Sequence, residues 1–152
     1  YRPNHLNDYT MADGWDLFRT EKSNTAMTVF RQLAREAPHD GGPKIGYAIA
    51  AADAGWLSRG VRAMRRAFYI DPDAANGLAL DSRFERKLNR LAWKYRGRSH
   101  GISEKDARFM QASIYYLLSD KDACFQAIEQ SRKTRDSSQS TRNLYRMAEE
   151  YL

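Results

Sequence analysis

The sequence is poor in cysteine and has no long apolar run. Its 152 residues include one cysteine, Cys124, which excludes an internal disulfide and a metal centre built from several cysteines. The most apolar stretch, Ile45 to Leu57, is shorter than the roughly 18 apolar residues that a membrane-spanning helix requires, and it contains Asp53. We therefore expect a soluble domain without disulfide bonds and without a transmembrane segment.

The chain also lacks an initiating methionine and begins at Tyr1, which predicts a fragment or a processed form of a longer protein. A targeting signal would have been lost with the preceding residues, so the sequence indicates no compartment. Apolar residues make up 42% of the chain and aromatic residues 12%, as in folded globular proteins rather than disordered ones. The length of 152 residues fits one domain, 1–152.

Positive charge is concentrated in the middle of the sequence. The formal net charge is +6, and the segment from Trp56 to Arg98 holds eleven Lys or Arg residues against four Asp or Glu. The rest of the chain holds fourteen basic and fifteen acidic residues, so it is nearly neutral. A basic region of this kind can attract nucleic acid, anionic lipid or an acidic protein.

A 34-residue period runs through the first half of the chain, where Pro38 and Pro72 are 34 residues apart. Residues at equal distances before the two prolines match in size, large with large and small with small. The matched pairs are Phe30 with Met64, Ala26 with Gly60, and Gly14 with Ala48. A fixed period of this length is typical of helical-repeat proteins.

The stretches 26–38 and 60–72 resemble the second helix and closing proline of tetratricopeptide repeats. In both, a small residue permits close helix crossing, a large residue one turn later fills the gap, and proline ends the helix. A weaker third copy at 104–133 lacks the closing proline; its matching residues are Ala112, Tyr115, Cys124 and Ile128. The first helices depart from the family pattern, with Thr10 and Lys44 in place of tryptophan, and Leu17 and Ala51 in place of tyrosine.

The resemblance implies an all-α fold of antiparallel helix pairs in an α-α superhelix, a class whose members bind many kinds of partner. Repeat-like units are expected at 7–40, 41–74 and 105–138, with an inserted helical segment at 75–104 and a capping helix at 141–152. Hydrophobic spacing predicts helices near 7–19, 23–36, 43–54, 57–70, 104–118, 121–134 and 141–152, and one that contains Phe84 to Tyr95. Ser23, Ser58 and Ser103 are predicted N-caps, the last with Asp106 as the acidic partner of a capping box.

Potentially catalytic residues do not converge in this sequence. His5, His39 and His100 fall in different loops or ends, without the i, i+4 spacing that places two metal ligands on one helix face. Cys124 matches a position where the tetratricopeptide family has a small buried residue, and we expect it to be a core thiol. The glycines form no phosphate-binding pattern. We therefore expect no enzyme activity, no catalytic residues, no metal site and no cofactor.

In the family, ligands usually lie in a concave groove lined by the first helix of each pair. The corresponding residues here are mostly apolar, and they lack the basic and amide side chains of members that clamp a terminal carboxylate. Such a groove either receives a peptide or helix of a partner or is filled by the inserted segment, which we favour because the inserted helix carries a matching apolar stripe. The candidate groove residues are Met11, Trp15, Phe18, Ile45, Ile49, Asp53, Phe109 and Tyr116.

A basic face is the second candidate surface. A solvated helix face explains it as well as a binding site does. We expect a protein-interaction or scaffold module that binds a peptide or partner protein through the groove or the basic face; the alternative is a nucleic-acid-binding helical domain. The sequence does not indicate the oligomeric state. The basic-face residues are Arg83, Lys87, Arg90 and Lys94, in one stripe at helical spacing, with Arg62 and Arg66 of the preceding helix expected to adjoin them.

Overall fold

Eight α-helices and one short 3₁₀ helix make up the secondary structure of the computed structural model, which describes residues 9–96 and 101–152. No β-strand occurs within these two ranges, so the predicted all-α class is confirmed. The 3₁₀ helix, Pro72–Gly77, lies between α4 and α5. The α-helices are α1 (Met11–Arg19), α2 (Ser23–Glu36), α3 (Gly41–Asp53), α4 (Leu57–Ile70), α5 (Ser82–Lys94), α6 (Glu104–Leu117), α7 (Lys121–Lys133) and α8 (Gln139–Tyr151).

Polar side chains cap the start of most helices. Thr10 and Asp13 form a complete capping box: Thr10 Oγ1 accepts from the Asp13 amide at 3.3 Å, and the Asp13 carboxylate accepts from the Thr10 amide at 2.8 Å. The predicted cap Ser103 is confirmed, since its hydroxyl accepts from the Asp106 amide at 3.2 Å. Other side chains that accept from the first turn of a helix are Asp40, Asp81, Asp120 and Ser138.

Two other predicted caps and one capping box are wrong. Ser23 and Ser58 lie inside α2 and α4, and neither helix has a capping hydrogen bond from a side chain. The Ser23 hydroxyl instead donates to the Asp53 carboxylate. The Asp106 carboxylate accepts from Arg65 on α4 instead of closing a capping box. In both cases a tertiary partner takes the side chain that the local pattern assigned to the helix end.

Phe30 on α2 fills the space between α1 and α3. Consecutive helices from α1 to α4 pack against each other. The Phe30 side chain is fully buried, and its ring centroid lies 4.8 Å from that of Trp15. Gly14 on α1 and Gly46 on α3 leave room for the ring, because a Cβ atom on Gly14 would lie 2.6 Å from it and one on Gly46 would overlap with it. Phe30 therefore has the gap-filling position that the repeat predicts.

Helix α5, which lies in the segment predicted as an insertion, covers aromatic side chains of α1. It packs against α3 and α6, and its Phe84 ring lies 4.9 Å from the Trp15 ring and 5.3 Å from the Phe18 ring, centroid to centroid. Just after α5, the Tyr95 hydroxyl donates to the Leu57 carbonyl at 2.8 Å. The helix is thus fixed near both ends to the first four helices.

Helix α4 connects the first helices to the last three. Its Phe68 ring lies 6.1 Å, centroid to centroid, from both Phe109 and Tyr116 of α6. The Asn143 side chain of α8 donates to the Phe68 carbonyl at 2.8 Å, so α8 packs on α4 as well as on α7. In the described part of the chain, the helices are too short or too polar to cross a membrane.

Candidate functional site

The predicted apolar groove is closed by the chain itself. Trp15 is 8% exposed, and Phe18, Ile45 and Ile49 are almost completely buried. Phe84 of α5 covers the two aromatic members, Trp15 and Phe18. Of the two explanations for an apolar groove, self-filling is the one that these contacts support. In this conformation these four side chains offer little apolar surface to a partner.

The other groove candidates do not continue a single surface. Phe109 and Tyr116 pack against Phe68, on a different part of the core from Trp15. The Tyr116 hydroxyl donates to the Asn76 side chain, and burial raises the Tyr116 pKa to about 12. Met11 is only partly buried, at the edge of the core. These residues therefore do not form one continuous groove in the described part of the chain: Phe84 of α5 covers Trp15 and Phe18, and Asn76 of the 3₁₀ helix contacts Tyr116.

Lys87 lines the same cavity as Arg83 and Arg90, but it is buried and paired and is not an exposed member of the predicted basic face. Its side chain is 2% exposed. The ammonium Nζ donates to the Phe18 carbonyl at 2.5 Å and forms ion pairs with Glu21 at 3.1 Å and Asp53 at 3.3 Å. Asp53, predicted as a groove ligand, thus serves as an internal partner. The correction has a simple cause: the aliphatic stem of a lysine can run along apolar surface and carry its charge to a buried acceptor.

The remaining basic residues of α5 are exposed. Arg83, Arg86 and Arg90 line an open cavity of about 510 Å³ beside Arg19. None of the three forms an ion pair or a hydrogen bond with the residues that the structure describes. Lys94 donates to the Asp53 carbonyl at 3.5 Å. The predicted stripe is therefore shorter than its spacing suggests, since Lys87 is withdrawn from it.

Arg62 and Arg66 do not adjoin that stripe. They lie on another side of the domain, where α2 and α4 flank α3, and line a different cavity system. We call this surface the outer groove. It consists of two adjoining depressions of about 350 Å³ and 340 Å³, which share Tyr47 and Ala63. Its residues are Arg31, Ala34 and Arg35 of α2, Lys44 and Tyr47 of α3, and Arg59, Arg62, Ala63 and Arg66 of α4.

The outer groove has an apolar floor and a basic rim. Ala34, Tyr47 and Ala63 are half-buried at its base. The Arg31 guanidinium lies 5.6 Å from the centroid of the Tyr47 ring, and its NH2 group is 3.5 Å from the Tyr47 hydroxyl. Lys44 donates to the Pro38 carbonyl at 2.9 Å. The groove lining in this structure contains no carboxylate.

Only Arg62 and Arg66 of the nine outer-groove residues were predicted from the sequence as part of a binding surface. Arg31, Arg35 and Lys44 lie outside the basic segment from Trp56 to Arg98. The rest of the chain, to which they belong, has nearly equal numbers of acidic and basic residues. A local signal was available, because Arg31 and Arg35 are four residues apart and share a helix face. Arg59, Arg62 and Arg66 repeat that pattern on α4. Only the packing of three helices brings the two patterns to one surface.

Arg65, the neighbour of Arg66, points inward and holds the helices together. Its guanidinium donates to Asp106 of α6 at 2.9 Å and to Asp136, between α7 and α8, at 2.9 Å. It also donates to the Ser138 hydroxyl at 2.9 Å and stacks on Phe109, 4.3 Å from the ring centroid. Three helices, α4, α6 and α8, and the loop between α7 and α8 therefore meet at one cation, which is structural rather than available for binding.

Asp136 is the buried anion of this network. Burial raises the pKa of its carboxyl, but hydrogen bonds from Arg65, Ser138 and Thr141 outweigh that effect and lower the pKa to about 2. A carboxyl whose pKa is lower in the folded state stabilises the fold above its unfolded pKa, and this stabilisation is lost as the pH falls toward the folded pKa.

We expect this carboxyl to contribute about 2 kcal/mol to stability at neutral pH. Because its ordinary pKa is 3.8 and its folded pKa is about 2, that contribution should disappear between about pH 4 and pH 2. Urea unfolding of the wild type and of Asp136→Asn at a series of pH values measures it. Over this pH range the free energy of unfolding of the wild type should fall by about 2 kcal/mol more than that of the variant. Parallel pH profiles of the two proteins would contradict the low pKa of Asp136 in the folded state.

The single cysteine and the one histidine that the structure describes lie in different surroundings. Cys124 is buried, as expected, and its thiol lies 3.4 Å from the Ala112 carbonyl. Burial, with a smaller effect of Asp120, raises the Cys124 pKa to about 12, so the thiolate is disfavoured. His39 is exposed, while the predicted loop residues His5 and His100 lie outside the described ranges. From 9–96 and 101–152, no group of three His, Cys, Asp or Glu side chains is placed to hold a metal ion.

The outer groove thus brings six cations without a described ion pair to one surface. It combines half-buried apolar side chains with six basic ones from three helices. No protein-family model, curated protein or solved structure matches the chain.

Proposed function

We propose that this chain is a non-catalytic interaction module of the tetratricopeptide-like kind, which binds a partner protein through the outer groove. The 34-residue period and the position of Phe30 between Gly14 and Gly46 support the repeat assignment. Because α5 fills the predicted apolar groove, which we call the inner groove, we place the partner on the other surface of these helices. This use of the fold differs from the concave-groove binding that the family resemblance implies.

One observation carries the proposal: the cations that stabilise the fold have carboxylate partners, and those of the outer groove do not. Arg19 pairs with Asp81 at 3.2 Å, and Arg65 and Lys87 have the acidic partners described above. In contrast, none of the six outer-groove cations forms an ion pair with a residue in the described ranges. Six like charges around a shallow apolar floor repel one another, and an anionic partner would relieve that repulsion.

A matched pair of charge reversals tests the proposal. Arg62→Glu/Arg66→Glu alters the outer groove. Arg86→Glu/Arg90→Glu alters the cavity beside Arg19 that α5 lines. In each pair the two arginines are exposed and four residues apart on one helix, and both variants change the net charge equally. We expect proteins that the wild type captures from a nuclease-treated native extract to be lost with the first variant and retained with the second. Lys87 stays unchanged in the control because it is buried. Equal capture by both variants would contradict the proposal.

The alternative is a nucleic-acid-binding domain that uses α5. Arg83, Arg86 and Arg90 are exposed without partners, and the 63%-exposed Trp93 carries the Arg96 guanidinium 4.3 Å above its ring. An exposed aromatic ring beside basic side chains is the arrangement on which single-stranded bases stack. In the same capture experiment, this function requires the opposite result: nuclease, or Arg86→Glu/Arg90→Glu, would abolish retention.

A further inference from the structure

We infer that the outer groove receives an acidic segment of a partner protein that carries an apolar side chain among its carboxylates. This inference rests on the proposed function and specifies the chemistry of the partner. It follows from three features of the groove: its floor, its rim and its aromatic side chain.

The floor requires an apolar group. Ala34 of α2 and Ala63 of α4 face the same depression, and their short side chains leave a cavity of about 350 Å³ above Tyr47. All three residues are half-buried, so part of their apolar surface is exposed to solvent. Covering such carbon with a leucine or phenylalanine side chain removes apolar surface from water and is therefore favourable. A purely charged ligand would leave the floor exposed.

The rim requires carboxylates. Arg35, Arg62 and Arg66 are exposed and make no ion pair or hydrogen bond within the described part of the chain. A guanidinium presents a planar fork of donors that matches a carboxylate with two parallel hydrogen bonds. Because these arginines come from α2 and α4 on opposite sides of the floor, an extended or helical peptide would meet cations on both flanks.

The one aromatic side chain of the groove lining, Tyr47, is half-buried, which favours a peptide over a nucleic acid at this surface. The Tyr47 ring is already covered on one face by Arg31, and the alanine methyl groups offer a base neither a stacking surface nor a hydrogen bond. Trp56 lies outside the groove lining but is 51% exposed and contacts the groove residue Arg59, whose guanidinium is 4.8 Å from the Trp56 ring centroid. Tryptophan and arginine are among the residues on which protein interfaces concentrate their binding energy.

Three fluorescein-labelled probes test the inference by fluorescence anisotropy with the full 152-residue chain. The first is a glutamate-rich peptide with leucine at every fourth position, the second is the same peptide with serine in place of leucine, and the third is an oligodeoxythymidylate. We expect the leucine peptide to bind at least about tenfold more tightly than the serine peptide, the effect of burying one or two leucine side chains. Arg62→Glu/Arg66→Glu should weaken it at least about tenfold, and Arg86→Glu/Arg90→Glu should change it less than about threefold.

A floor variant separates apolar recognition from charge. Ala34→Gln/Ala63→Gln keeps every cation and uses a good helix former, but it fills the floor with amides. It should remove the preference for leucine over serine while leaving the affinity for the serine peptide within about threefold. Circular dichroism establishes that each variant is folded.

The outcomes distinguish the inference from the function on which it rests. Equal binding of the two peptides by the wild type, or tighter binding of the oligonucleotide that depends on Arg62 and Arg66, would overturn the inference. If capture from extract still depends on the outer groove, the proposed function survives that result. Loss of peptide binding in both charge-reversal variants would show attraction to net charge alone and would overturn the inference as well.

Discussion

Phe30→Ala is expected to lower the free energy of unfolding by about 3–5 kcal/mol. The Phe30 side chain is fully buried between α1 and α3 and packs against the Trp15 ring. Removing its ring leaves a cavity that two glycines, Gly14 and Gly46, cannot fill, because they have no side chains to move into it. Urea or guanidinium unfolding measures the change, and a loss below about 1 kcal/mol would contradict the packing of α2 between its neighbours.

Gly46→Ala provides an internal control for the same contact. When Phe30 is present, the methyl group of an alanine at position 46 would overlap with the Phe30 ring. We therefore expect Gly46→Ala to lower the free energy of unfolding by about 1–3 kcal/mol. In the Phe30→Ala background the ring is gone, and alanine is favoured over glycine inside a helix by up to about 1 kcal/mol. The effect of Gly46→Ala should therefore become neutral or stabilising. An additive result would show that the two residues do not touch.

Arg65→Met should cost about 3–5 kcal/mol, because it leaves the Asp136 carboxylate buried without its cation. The Asp136 side chain is 2% exposed and accepts from Arg65 at 2.9 Å. The variant also lacks the hydrogen bonds that Arg65 makes with Asp106 and with the hydroxyl groups at the start of α8. Thermal or chemical unfolding measures the loss.

The neighbouring Arg66→Met is the matched control for that prediction. It makes the same change one residue later on α4, at an exposed side chain without a described partner, and should stay within about 0.5 kcal/mol of the wild type. Adding Asp136→Asn to Arg65→Met should cost less than the sum of the single changes, because the isolated charge is removed. Similar losses in Arg65→Met and Arg66→Met would contradict the network.

Much of the fold could be predicted because its determinants are local. The apolar period marks the helices, and the size match around Phe30 and Gly14 identifies a place where helices approach closely. The apolar stripe of α5 also favoured the filling of the inner groove. The start of α3 was predicted at 43 and lies at Gly41, since the Asp40 side chain accepts from the Gly42 amide and begins the helix earlier.

The rest depends on contacts between distant parts of the chain. Arg65 meets acceptors 41 to 76 residues away in sequence, so no local pattern distinguishes it from the exposed Arg66. Lys87 lies three residues after Phe84 and four before Leu91, at the boundary between the apolar and basic faces of α5. Periodicity alone cannot decide on which side such a residue lies. Its acceptors, Phe18 and Asp53, come from helices that α5 reaches only after folding.

The outer groove shows the same limit at the level of function. Its six cations come from α2, α3 and α4, and counting charge along the sequence divides them between a neutral segment and a basic one. The arginines of α4 and those of α5 lie in the same basic segment of the sequence, yet they line separate cavities. Helix packing, and not charge density, defines the candidate binding surface.

Amide chemical-shift mapping of the ¹⁵N-labelled chain with the unlabelled glutamate–leucine peptide tests most directly whether the outer groove is the recognition surface. The account predicts that the largest shifts fall on α2, α3 and α4 around Arg35, Tyr47 and Ala63, and that they vanish in Arg62→Glu/Arg66→Glu. Shifts centred on α5 around Arg86 and Arg90, or spread evenly over the exposed amides, would contradict it.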